Sequence, residues 1–394
     1  MSFISRMWPL QANAATGSAT TTAALVTITA VATATMLSLF RRALWPAHPK
    51  IIPSPLHTVI PRLSKLEADR LEYKPDEFPG ARDVMTPYGS TRVYEWGPEA
   101  GPKVVFVHGI STSCQTLKKL AHALVEEKGC RVMLFDLFGR GFSDGVGDLP
   151  HDARLYTTQI LLALASSPLP WTGSSAFRLI GYSMGGGIAV HFAAAFPHMV
   201  SSLVLLAPAG LIRAENFGVV TRFVFTTGLV PERLLAAITK RRLQRPIAAS
   251  SKRANHATTT ITTDPISASL AEAADPGPDN STTPLERQVL RYVHWMLDHH
   301  PGFVPAFMAC IRDAPLVGQE EAWRKLALRE PGTTAVILGR ADEIIDPEDY
   351  ATDALPLVGG REHLHWILVP GGHDFPMTHA PETLGAIYTA WGME

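Results

Sequence analysis

A short apolar run, Phe177-Arg178-Leu179-Ile180, meets Gly181-Tyr182-Ser183-Met184-Gly185 and passes at once into Gly186-Gly187-Ile188-Ala189-Val190. Strand character before a Gly-x-Ser-x-Gly turn, with helical spacing after it, is the context of a nucleophile elbow. Ser183 is the candidate nucleophile. Gly181 and Gly185 are required there, because a Cβ at either position would strike the neighbouring strand or helix. The helix that starts after Ser183 points its N-terminal amides at the reaction centre, where developing negative charge is stabilised.

The surrounding chain alternates in the same way. Residues 83–86 and 91–96 are expected as strands about the turn Pro87-Tyr88-Gly89-Ser90. Residues 103–107, 131–135 and 201–206 are apolar runs suited to strands buried on both faces, and 114–128 and 152–166 have helical periodicity between them. The expected fold class is therefore α/β, a mostly parallel sheet with helices on both faces and right-handed crossovers. Ligands in such sheets bind beyond the C-terminal strand ends. His108, Asp136 and Ser183 all fall there, and Asp136 heads a glycine-rich loop, to Asp144, whose turns it is expected to fix as a hydrogen-bond acceptor.

From Ala209 to about Glu330 the alternation stops and the pattern is helical, irregular and broken by prolines. It resumes with a strand at 334–338, a helix near 347–355, a strand at 365–369 and a last helix at 381–391. One core, 81–209 and 331–394, split by an excursion at 210–330, explains this more simply than tandem domains. The excursion is expected to lie over the strand ends as a helical cap inserted after the sixth strand, with a low-complexity insert at about 250–283.

Two N-terminal segments precede the core. Ala19 to Phe40 carries no charge, Pro or Gly and is followed by Arg41 and Arg42. Its length suits a membrane span, although Ala and Thr outnumber the larger apolar residues. Residues 1–45 are read as an anchor that leaves the following domain cytoplasmic by the positive-inside rule. The absence of acidic residues before Glu67 leaves a mitochondrial targeting segment open, as does low complexity a disordered tail. Residues 46–80 read as a proline-rich linker and a short helix at 64–73.

With a formal net charge of −1 over 394 residues, no global basic field attracts nucleic acid. Cys114, Cys130 and Cys310 are too few and too scattered for a disulfide framework or a zinc site, and are expected as reduced, buried thiols. His294, His299 and His300 lack metal-ligand spacing. No metal or organic cofactor is expected.

Taken together, Val107-His108-Gly109, Asp136-x-x-Gly139-Arg140-Gly141-x-Ser143, Gly181-x-Ser183-x-Gly185, Gly339-x-x-Asp342 and Gly372-His373 resemble the α/β-hydrolase fold family, over roughly residues 83–394 apart from the insert. The order Ser183, Asp342, His373 is the family's order of nucleophile, acid and base. A serine hydroxyl needs a base to take its proton, and His373, in a Gly371-Gly372 loop past a strand, can supply one. The family pattern makes Asp342 the orienting acid; Asp346, four residues on, is the competitor, with helix capping as its alternative role. The resemblance also implies an oxyanion hole from the amides of Ile110 and Met184, with His108 holding the loop, and His108, Gly109 and Tyr182 as candidate substrate neighbours.

These residues imply a serine hydrolase that cleaves carboxylic esters through an acyl-enzyme. The membrane setting and an apolar cap favour a lipophilic, monoacylglycerol-like ester. Serine at the elbow argues against epoxide hydrolases and haloalkane dehalogenases, which resemble this pattern but carry Asp there. Thioesterase, carbon-carbon bond hydrolase, acyltransferase and a non-catalytic ligand-binding scaffold remain open, since fold alone does not choose among them.

Overall fold

Apolar runs of Val, Leu, Ile and Phe pair side by side because only a sheet covered on both faces satisfies them. Strands β1 (Arg82–Thr86), β2 (Gly89–Trp96), β3 (Lys103–Val107), β4 (Arg131–Phe135), β5 (Phe177–Tyr182), β6 (Val200–Leu206), β7 (Thr334–Gly339) and β8 (His365–Val369) form one eight-stranded sheet in the order β8-β7-β6-β5-β3-β4-β2-β1. Strands β3 to β8 pair in parallel, and β2 runs antiparallel to both its neighbours. The computed structural model describes residues 14–44, 49–213, 225, 229–243 and 283–393. Side chains of the central strands are almost without exposure, and they form the main hydrophobic core with the helices that flank them.

The described chain divides into two units. One is built on helix α1 (Ala14–Leu44), whose residues Thr22–Arg42 are long and apolar enough to cross a membrane and are wholly exposed. The other contains the sheet. Its helices of seven or more residues are α2 (Lys118–Lys128), α3 (Ala153–Ala165), α4 (Met184–Ala195), α5 (Glu232–Leu243, whose residues to Leu234 group with the first unit), α6 (Pro284–His299), α7 (Phe303–Asp313), α8 (Glu320–Leu326), α9 (Pro347–Ala354) and α10 (Ala380–Trp391). Helix α10 packs with α2, while α4 packs with α3 and α8. Several starts follow from capping chemistry: Asp152, Thr283 and Asp346 each accept backbone N–H bonds at the first turn of α3, α6 and α9.

Between β6 and β7 the described residues form α5 to α8 and no strand. The low-complexity stretch expected at about 250–283 lies outside the described residues except for Thr283.

The segment expected as a spacer differs. Ile51–Ile52 pairs antiparallel with Gly145–Val146, Ser54 donates its N–H to Asp144 Oδ1 at 2.7 Å, and Tyr73 is fully buried. The prolines do bar a long helix, but this part of the linker is strapped to the core by contacts more than seventy residues away in sequence, which no local pattern reports. The short helix expected at 64–73 is Lys65–Asp69, closed at its start by a capping box between Ser64 and Glu67.

Candidate active site

Strand β5 ends at Tyr182 and α4 begins at Met184, so Ser183 alone reverses the chain, at φ +55° and ψ −123°. Such a conformation costs a non-glycine residue of order 1–3 kcal/mol and persists only where the surroundings hold it. Here the Ser183 N–H donates to the Leu206 carbonyl at 2.9 Å, and the Ser183 carbonyl accepts from Gly186 and Ala209, each at 2.9 Å. A Cβ on Gly181 would overlap the Gly185 carbonyl, and one on Gly185 the carbonyls of Val107 and His108. The elbow is thus clamped between β3, β6 and its own helix.

His373 and Asp342 arrive from the next strand ends. His373 follows β8 through Gly371 and Gly372, and Asp342 follows β7 after two residues, Arg340 and Ala341. The Asp342 carboxylate is held by the N–H groups of Ile344 and Ile345, at 2.9 and 2.8 Å. It lies 2.9 Å from His373 Nδ1, and His373 Nε2 lies 3.0 Å from Ser183 Oγ. A carboxylate can only accept, so Nδ1 carries the ring proton and Nε2 offers its lone pair to the Ser183 hydroxyl. All three residues are buried. Asp346 is elsewhere engaged: its carboxylate accepts from Glu348 and Asp349 at the start of α9.

The loop after β3 is oriented by its own histidine. His108 Nε2 accepts the Leu137 N–H at 2.9 Å, so the proton sits on Nδ1 and is donated to the Gly109 carbonyl, also at 2.9 Å. Burial keeps this ring neutral, with its pKa lowered to about 3. The Gly109 carbonyl and the Ile110 N–H share one planar trans peptide and point in opposite directions. The bond from His108 therefore turns the Ile110 amide away from itself. A Cβ on Gly109 would lie 3.4 Å from Ser183 Cβ, so this peptide passes directly beside the serine. The Met184 amide belongs to the first turn of α4 and has no acceptor within the helix.

Of the residues expected beside a substrate, Gly109 borders Ser183, but His108 and Tyr182 stand behind the site. Tyr182 has no exposure, and its hydroxyl donates to the His373 carbonyl at 3.1 Å. These two side chains hold the loop and His373 through backbone atoms, and are buried.

Several supporting residues gave no local signal. The Asp136 carboxylate accepts from the Tyr73 hydroxyl at 3.1 Å and from the N–H groups of Cys114 and Phe142 at 3.1 and 3.0 Å. Met296 Sδ accepts the Gly141 N–H at 3.2 Å, and His300 Nε2 donates to the Ser143 carbonyl at 3.0 Å. Only the aspartate's role as an acceptor within its own loop was legible; Tyr73 and Cys114 come from other segments. Among the described residues no group of His, Cys, Asp and Glu is placed to hold a metal ion.

The family whose sequence model matches residues 98–277 is described as serine aminopeptidase S33. The chain has the α/β-hydrolase fold. The chain is 32% identical to a serine hydrolase-like protein of Dictyostelium discoideum over 124 residues, 31% of this chain and 33% of the relative. It is also 32% identical to the monoglyceride lipase of Mus musculus over 125 residues, 31% of this chain and 40% of that protein. The matches thus span well under half of these relatives' lengths. Among solved structures, a bromoperoxidase from Bacillus anthracis superposes with a TM-score of 0.56 at 17% identity, covering 79% of this chain and 99% of the other, a likeness of fold.

Proposed function

We propose that this α/β-hydrolase is a serine hydrolase that cleaves carboxylic esters through an acyl-enzyme, with Ser183 as nucleophile, His373 as general base and then acid, and Asp342 as the residue that orients the imidazole. The observation that carries the reading is the single imidazole bridging Asp342 at 2.9 Å and Ser183 at 3.0 Å. Proton transfer to Nε2 frees the Ser183 oxygen to attack a carbonyl carbon, and Asp342 balances the charge left on the ring. The amides of Ile110 and Met184 receive the oxyanion. His373 then returns the proton to the leaving alcohol, and water repeats the cycle to release the acid.

The substrate we propose is a lipophilic ester such as a monoacylglycerol. The partial matches to lipases and the apolar segment Thr22–Arg42, read as a membrane anchor with the catalytic unit on the cytoplasmic side, support it. Helices α6 to α8 are proposed as part of a cap that lines the acyl site. Hydrolysis rates for a series of monoacylglycerols and short-chain esters test the reading, with Ser183→Ala as control. Turnover that rises with acyl length and vanishes in the variant is expected. Preference for acetyl esters would overturn the lipid assignment.

A further inference from the structure

Arg140 is fully buried, and its guanidinium reaches three different segments. Nε–H donates to the Ile110 carbonyl at 2.9 Å; one terminal nitrogen donates to the Phe138 carbonyl at 2.9 Å and the Tyr156 hydroxyl at 3.2 Å; the other donates to Cys310 Sγ at 3.3 Å. The acidic groups that face this cation are the Cys310 thiol and the Tyr156 phenol. A buried cation without a counter-charge is strongly disfavoured, and of these two groups the thiol is ordinarily the stronger acid.

We propose that Cys310 is a buried thiolate, the counterion of Arg140, and that this pair is a positioning element for the loop that carries Ile110. The positioning half rests on the proposed function, since it matters to catalysis only if the Ile110 amide serves an oxyanion.

Cys310 has a hydrogen-bond partner in either protonation state: Tyr156 for the thiol and Arg140 for the thiolate. His151 Nε2 faces the Val146 carbonyl at 2.9 Å, which can only accept, so in the neutral ring Nδ1 is an acceptor, 2.7 Å from the Tyr156 hydroxyl. Tyr156 is also 3.0 Å from Cys310 Sγ. A thiol would donate to the Tyr156 oxygen while the single Tyr156 proton goes to His151; a thiolate accepts from Arg140, and gains Tyr156 as a donor only at the expense of its bond to His151. The two states differ in charge, and the charge of Arg140 favours the anion. Burial opposes ionisation of Cys310, but Arg140, His151 and Tyr156 outweigh it and hold the thiol below its ordinary range. Outside this ring, Asp313 faces His151 and Asp152. The other two thiols behave oppositely: burial and the Asp136 charge push Cys114 well up, and burial pushes Cys130 up.

The consequence reaches the site through one bond. His108 orients the peptide that carries the Ile110 N–H, and Arg140 holds the next peptide by its carbonyl. With both fixed, the Ile110 amide cannot rotate out of line. Cys310, on α7, thereby ties the helical segment after β6 to the loop after β3.

The far-ultraviolet thiolate absorbance of the full chain, titrated from about pH 5 to 8.5, tests the charge assignment. One thiolate is expected in the folded wild type at pH 8, where Cys114 and Cys130 remain protonated, and its absorbance is expected to be missing in Cys310→Ser. No thiolate in the folded wild type overturns the proposal whether or not the variant folds. For positioning, Cys310→Ser is expected to lower kcat about tenfold with KM little changed, and to speed hydrogen exchange in residues 107–117. Cys310→Asp, which restores an anion, is expected to recover both. A thiolate present in wild type with unchanged exchange in Cys310→Ser overturns the positioning role. If the wild type hydrolyses no ester, the proposed function fails while absorbance and exchange still decide the role of Cys310.

Discussion

Gly141 lies so close to Asp136 that a Cβ at position 141 would overlap the Asp136 carboxylate. The glycine takes φ +53° and leaves room for that carboxylate to gather its donors from Tyr73, Cys114 and Phe142. Gly141→Ala is expected to lower the unfolding free energy by about 3 kcal/mol, because strain and displacement of a buried carboxylate act together. Gly129 also has positive φ, +59°, but with open space around it. Gly129→Ala should therefore cost only about 1 kcal/mol. Urea unfolding of the two variants checks the contrast; equal losses would contradict it.

Asp342 and Asp346 should separate cleanly. Asp342→Asn is expected to lower kcat by about 10³- to 10⁴-fold, since the amide no longer favours the tautomer that leaves Nε2 free. Asp346→Ala removes the acceptor at the start of α9 and should cost about 1 kcal/mol in stability with kcat nearly unchanged. The reverse ranking of kcat values would reassign the acid.

The buried histidines give stability a pH dependence of known sign. Burial lowers His108 and His300 to about 3 from 6.5, so both rings are neutral in the folded protein. The unfolded chain binds their protons near pH 6.5, so the fold's preference for neutral rings is fully expressed above that pH. Stability is lost as pH falls from 6.5 toward 3, by up to about 1.4 kcal/mol per pH unit for each ring. Unfolding midpoints at pH 7 and 5 measure this, and His300→Gln should weaken the dependence. An identical slope in that variant would contradict the assignment.

Removal of residues 1–45 tests the proposed anchor. The truncated protein is expected in the soluble fraction, whereas the full chain sediments with membranes. An unchanged membrane pellet would contradict it.

What could be read from sequence tracks how local its cause is. The elbow, Asp342 after β7, His373 after β8 and the buried strands carry their reasons within a few residues: two glycines around a serine, a short turn after an apolar run. The expected strand 201–206 is realised as Val200–Leu206, and the helix 347–355 as Pro347–Ala354 capped by Asp346. The partners of Arg140, Asp136 and Ser143 were not legible, because Cys310, Tyr73 and His300 reach them across 63 to 170 residues of chain. The orientation of Tyr182 and His108 was not legible for a related reason. Position next to a reacting group does not say which way a side chain points, and both point inward.

Mass mapping of a fluorophosphonate adduct tests the central assignment most directly. The account predicts a single adduct on Ser183 in the folded full chain, lost in Ser183→Ala and slowed by at least about a thousandfold in His373→Ala. A folded wild type that takes no label, or labelling at Ser183 that proceeds at the same rate without His373, would contradict it.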